Sequence, residues 1–174
     1  MASGWDDEDY DDPPFADPQI RVEYEAALGR LILAHNEVDH RLPKALQRVV
    51  LRVSGDGSLN AFATGSFAQR LANLELLQKA TTDLGATMVD VVELRRLNAI
   101  RNNVAHGHFD QNPFDGSFEL VGNGRGTQKR TRYQTSELES ATAALLAIAS
   151  TLHAHEVFGD FPPIYDLPEG ASPA

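Results

Sequence analysis

The sequence predicts an all-α fold: an antiparallel helical bundle with a small β-hairpin insert before the last helix. Three observations predict it. Apolar residues recur at helical spacing through most of residues 18–106 and again over 136–155. Two capping boxes, Ser66 with Gln69 and Ser136 with Glu139, mark helix starts. Between them the pattern switches once, to short β-prone runs around a glycine-rich turn.

The first helix begins near Pro18, with an apolar stripe through Tyr24, Leu28, Leu31, Ile32, His35, Val38 and Leu42. Pro43 carries no backbone N–H, so it predicts a kink or the first turn of a new helix. Leu46, Val49, Val50 and Val53 continue the pattern to a loop at residues 54–58. The helix opened by Ser66 carries Phe67, Leu71, Leu74 and Leu77 and is expected to end at Gly85. The next runs from about Ala86 to His106, with Leu94, Leu97, Ile100 and Val104 spaced 3, 3 and 4. The short connection predicts antiparallel packing of these two.

Residues 108–113 read as loop, and residues 118–121 and 129–133 as two strands joined by a glycine-rich tip at 122–126. That tip precedes a strand and has no following Lys-Ser/Thr, so it is not a P-loop. A final helix runs through Leu138, Ala141, Leu145, Ile148 and Leu152 to about His155.

One domain over residues 18–158 is expected, between two tails. Residues 1–17 are acidic and broken by Pro13 and Pro14, and are expected to be disordered. Residues 159–174 are rich in Pro and Gly and expected to be extended or disordered. The chain has no cysteine, which excludes disulfides and thiolate metal sites. No apolar run approaches the roughly 18–20 residues that span a bilayer, and acids stand where a signal peptide would be basic. A cytoplasmic protein with no membrane association is expected.

The net charge of −10 is unevenly spread. Seven acids and no base fall in residues 1–18, whereas residues 95–132 carry seven bases against three acids. Positive charge thus collects around residues 95–132, which suits RNA without demanding it. The acidic tail reads either as plain solvated chain or as a nucleic-acid mimic, its Trp5, Tyr10 and Phe15 shielding the basic stretch or binding a partner.

Within that stretch lies Arg101-Asn102-Asn103-Val104-Ala105-His106, followed by Gly107. On a helix, Asn98, Asn102 and His106 share one face, with Arg101 about 100° round from Asn102. Gly107 reads as a left-handed C′ residue ending the helix. A guanidinium, amides and an imidazole together form a phosphate-handling set with a titratable base.

This hexapeptide resembles the signature of the HEPN superfamily, small helical domains of which many are metal-independent ribonucleases. Their pattern is Arg, four to six residues and His, commonly with Asn, Asp or His after the Arg. Arg101, Asn102 and His106 fill those positions, and Ala105-His106-Gly107 is similar to a common bacterial ending. The resemblance covers roughly residues 18–155, because the motif closes the third long helix as in that family's layout. It implies RNA cleavage by the RNA's own 2′-hydroxyl, with His106 as general base or acid, Arg101 on the scissile phosphate and Asn102 orienting either. It also implies a homodimer whose two motifs face one cleft, and a toxin or defence role with a protein inhibitor or antitoxin. Asn36 and Asp39 fit an Asn and acid pair of similar bacterial proteins, where Asp39 would orient Arg101 or His106. In nucleotidylated toxins of the superfamily a Tyr follows the motif His by two residues; His108 stands there instead, so that control is not expected.

Arg95, Asn98, Lys129, Arg130 and Arg132 are the candidate substrate-binding residues. Each reading has a plainer rival. The strand charges also suit a solvated edge, Arg101 can pair with an acid such as Asp39, and His106 can simply cap carbonyls. His35 reads as a satisfied core or interface histidine. The pairs His106 with His108 and His153 with His155 are too few donors for zinc, so no metal and no cofactor are expected. A non-catalytic RNA- or protein-binding module is the alternative to the enzyme.

Overall fold

A computed structural model describes residues 15–80, 89–123 and 128–158. The acidic tail up to residue 14, the C-terminal tail, the expected helix end at Gly85 and the hairpin tip at 124–127 lie outside the described residues. The chain is mostly helical, with one small antiparallel sheet.

Helix α1 spans Pro18–Ser54 without interruption. Asp17 caps it, its carboxylate accepting from Gln19 N at 2.8 Å, and Gly55 ends it in the left-handed conformation. The expected break at Pro43 does not occur, because buried Leu42, Ala45 and Leu46 pin the helix on both sides of the missing hydrogen bond. Residues 15–17, expected in the disordered tail, instead form an ordered lead-in. Ala16 N donates to Pro113 O at 2.8 Å.

A 3-10 helix at Gly57–Ala63 occupies part of the stretch after α1, beginning within the expected loop. Helix α2 is Phe67–Ala80, with Ser66 Oγ accepting from Gln69 N at 3.3 Å as the capping box predicts. Helix α3 is Val91–His106. Asp90 caps it, accepting from Val92 N and Glu93 N, and the expected start at Ala86 lies outside the described residues.

Three strands follow: β1 His108–Gln111, β2 Phe118–Asn123 and β3 Gln128–Thr131, in the order β1-β2-β3. The hairpin is there, but residues 108–111, expected as loop, form a third strand paired His108↔Val121 through Gln111↔Phe118. Helix α4, Thr135–Phe158, begins ahead of the Ser136 box. Gln134 N donates to Glu137 Oε2 at 2.8 Å and makes the cap two residues earlier.

Helix senses are mixed. The expected antiparallel pairing holds between α2 and α3, where Glu75 meets Arg95 and Gln78 meets Val89 O. In contrast α1 and α4 run the same way, since Arg30 pairs with Glu139 and Arg41 with Glu156 further along both helices. The sheet accounts for this, carrying the chain from the end of α3 to the start of α4 beside the N-terminal half of α1. Leu31 and Leu42, Leu71 and Leu74, Leu94 and Leu97, and Leu138 and Leu145 are fully buried and join all four helices in one core. Each contributes about 1.5–3 kcal/mol by leaving water.

Candidate functional site

Helix α3 buries Val91, Leu94, Leu97 and Val104, so its last two turns are fixed against the rest of the chain. The motif occupies those turns. Asn102 and His106 are exposed, whereas Arg101 is half-buried. Arg101 Nη1 donates to Asn102 Oδ1 at 3.1 Å, and its Nε is buried with no hydrogen-bond partner among the described residues.

Beneath Arg101 lies a polar seam through three helices. His35 of α1 is 2% exposed, and its Nε2 lies 3.1 Å from Asn98 Oδ1 of α3. An amide oxygen only accepts, so this contact assigns the proton to Nε2. His35 Nδ1 is buried and has no partner among the described residues. Burial lowers the His35 pKa, and the positive charge of Arg101 lowers it further, against the Asn98 hydrogen bond and Asp39. His35 is therefore neutral near pH 7. The ring of Phe67 of α2 lies 4.7 Å from the His35 ring, and Arg70 pairs with Asp39.

The candidate residues thus divide. Arg101 and Asn102 are joined, with Asn98 held a turn away by His35. Asp39 is turned to Arg70 of α2 and does not orient Arg101 or His106 through any described hydrogen bond. Asn36 is exposed. Asp39 thus does not orient the motif as the resemblance implies. The reason is geometric: α2 lies along this face of α1 and supplies a nearer guanidinium.

The basic stretch is also more neutral than its sequence count. Arg95 reaches Glu75 at 2.5 Å, Arg96 pairs with Glu93, Arg130 with Glu119 at 2.8 Å and Arg132 with Asp115 at 3.8 Å. Glu75 holds both Lys79 and Arg95, which keep its carboxyl below the usual range. The Lys129 side chain lies outside the described residues. Exposed pairs such as these are worth only about 0–1 kcal/mol, so a phosphate can displace the acid at low cost.

Gly107 ends the helix differently from expectation. Its φ of −88° and ψ of 162° are extended, leading straight into β1, and its N donates to Asn103 O at 2.9 Å. Glycine is needed for space: a Cβ there would stand 2.1 Å from Leu120 Cδ1. Asn103 Nδ2 donates to Tyr133 Oη at 3.0 Å, a link from the motif to the segment entering α4 that the sequence reading missed. The His35–Asn98 contact was missed as a pair too. Their helical faces are readable, but not which helix packs on which. No group of three or more His, Asp or Glu among the described residues is placed to hold a metal.

A comparison with family models finds no match, and neither do comparisons with curated proteins and with solved structures. Fold and site define a mostly helical domain with a three-stranded sheet and a polar motif at the end of α3. No helix among the described residues is long and apolar enough to cross a membrane.

Proposed function

We propose that this chain is a HEPN-like, metal-independent endoribonuclease acting in the cytoplasm as a toxin or defence effector. The observation that carries the reading is the arrangement at the end of α3. Arg101 is half-buried and bonded to Asn102, while His106 is open to solvent on the last turn. Arg101 holds the scissile phosphate and offsets the charge developing on its oxygens. His106 takes the proton of the 2′-hydroxyl, whose oxygen attacks phosphorus and expels the 5′-oxygen of the next nucleotide. The products carry 2′,3′-cyclic phosphate and 5′-hydroxyl ends.

One imidazole does not serve as base and acid in the same step, so the reading includes a homodimer in which a second His106 protonates the leaving oxygen. A shallow apolar groove of about 450 Å³ beside the motif supports it, formed by Leu28, Ile32, Leu33, Val104 and Phe109. Leu33 is 70% exposed there. An antitoxin as partner belongs to the same proposal. The neutralised arginines favour a second reading, a non-catalytic RNA- or protein-binding module.

End-group analysis of labelled RNA incubated with the protein in EDTA separates the two. The enzyme reading expects cyclic phosphate ends from wild type and none from Arg101→Ala. Intact RNA in both lanes, with both proteins folded, favours the binding module.

A further inference from the structure

A cleft of about 310 Å³ opens between the start of α1, the β1–β2 turn and the segment entering α4. That is the lower end of the small-ligand range of about 300–1,000 Å³ and suits one ring system. Its walls carry Asp115 and Arg132, and Tyr24 and Phe118 stack at a centroid distance of 4.1 Å within the lining.

Three features show unused binding capacity. Arg132 Nη2 and Asp115 Oδ2 are 3.8 Å apart, beyond hydrogen-bond length, so the two charges face each other without a direct hydrogen bond. Tyr24 is 3% exposed, yet its hydroxyl meets no hydrogen-bond partner among the described residues. Next in sequence to lining residue Asp115, Phe114 is 58% exposed, and the Ala16 N to Pro113 O bond joins its segment to the one bearing Phe15, which is 77% exposed. Exposed aromatics beside an arginine are what unstacked bases lie against.

The turn is built to hold Asp115. Ser117 N donates to Asp115 Oδ1 at 2.8 Å, and Gly116, at φ 71°, packs so closely on Ile20 and Ala16 that a Cβ would meet both. The cleft also adjoins the motif, since Tyr133 in its lining accepts from Asn103.

We propose that this cleft takes one guanine base of single-stranded RNA and sets the sequence preference of the motif beside it. A carboxylate only accepts and a guanidinium only donates. Guanine offers two adjacent donors, N1–H and the 2-amino group, for Asp115. Its O6 and N7 acceptors lie on the same side of the ring system for Arg132. Adenine has one exocyclic donor and lacks the second. The choice of RNA as ligand rests on the endoribonuclease reading.

The test is calorimetric titration of the full chain with guanosine 3′-monophosphate and adenosine 3′-monophosphate, alongside cleavage of RNAs differing at one base. The guanine nucleotide should bind at least about tenfold more tightly. Asp115→Asn keeps the Oδ1 that accepts from Ser117 N, so the turn survives, and it should abolish the preference. Arg132→Ala should weaken both nucleotides, whereas Arg30→Ala, on an exposed pair outside the lining, should change neither. Equal binding of the two nucleotides, no binding of either, or an unchanged preference in Asp115→Asn overturns the proposal. Guanine-selective binding without RNA cleavage sinks only the nuclease reading. Cleavage without guanine-selective binding sinks only this one.

Discussion

His35 Nε2 and Asn98 Oδ1 lie 3.1 Å apart and form a side-chain hydrogen bond between α1 and the motif helix. The contact is part-buried, with His35 on its inner side, and it fixes the rotation of α3 about its axis one turn before Arg101. His35→Ala should lower stability by about 2–4 kcal/mol, combining a cavity with an orphaned amide oxygen. Chemical denaturation measures this directly.

The same histidine gives a pH dependence. Its folded pKa is depressed, through burial first and then Arg101, below the ordinary value of about 6.5. Between those values the unfolded state binds more protons, so stability rises with pH there. It should be complete above about pH 6.5 and fall on acidification, by at most about 1.4 kcal/mol per pH unit. Comparing wild type with His35→Gln at pH 7.5 and 5.5 isolates the term, which should be absent from the variant.

Tyr24 titrates in the opposite range. Burial, then Tyr133 and Glu137, push its pKa up to about 12. Protonated Tyr24 is the favoured folded form, so its share of stability is present below about pH 10 and lost as pH rises toward 12. Ultraviolet titration should show one late tyrosine that disappears in Tyr24→Phe. Because the hydroxyl has no partner among the described residues, that variant should lose under about 0.5 kcal/mol, or gain stability.

Gly107→Ala should destabilise by about 1–3 kcal/mol through overpacking against Leu120, not through backbone conformation. A cycle with Leu120→Ala distinguishes the causes. Coupling of about 1 kcal/mol or more points to the clash, and simple additivity to some other origin.

Asp39→Ala should cost about 1–3 kcal/mol by stranding the largely buried Arg70. RNA cleavage, once corrected for folded protein, should be little changed. A selective loss of cleavage would restore Asp39 to the motif's surroundings.

Much of the helical layout was legible because Leu71, Leu74 and Leu77, or Leu138 and Leu145, repeat at a period only a helix buries. Caps at Ser66 and Asp17 act locally and so leave local signals, although only Ser66 was read. The uninterrupted α1 was not legible, since what holds Pro43 in a helix is tertiary packing around Leu42 and Leu46. Strand β1 was hidden because Phe109 is the single apolar residue among its four and its pairing comes from β2. At the site, the motif itself could be read, but Asp39 with Arg70 and Arg95 with Glu75 could not. Local spacing offers several partners for a charge, and only the packing of helices selects one.

The most direct test is the single-turnover cleavage rate of RNA in EDTA for wild type against His106→Ala. His106 is exposed, so the variant should fold with an unchanged melting temperature. If His106 moves the proton, its loss should slow cleavage by at least about 10²-fold. Equal rates, or no cleavage by wild type on any RNA tried, would contradict the motif's catalytic role.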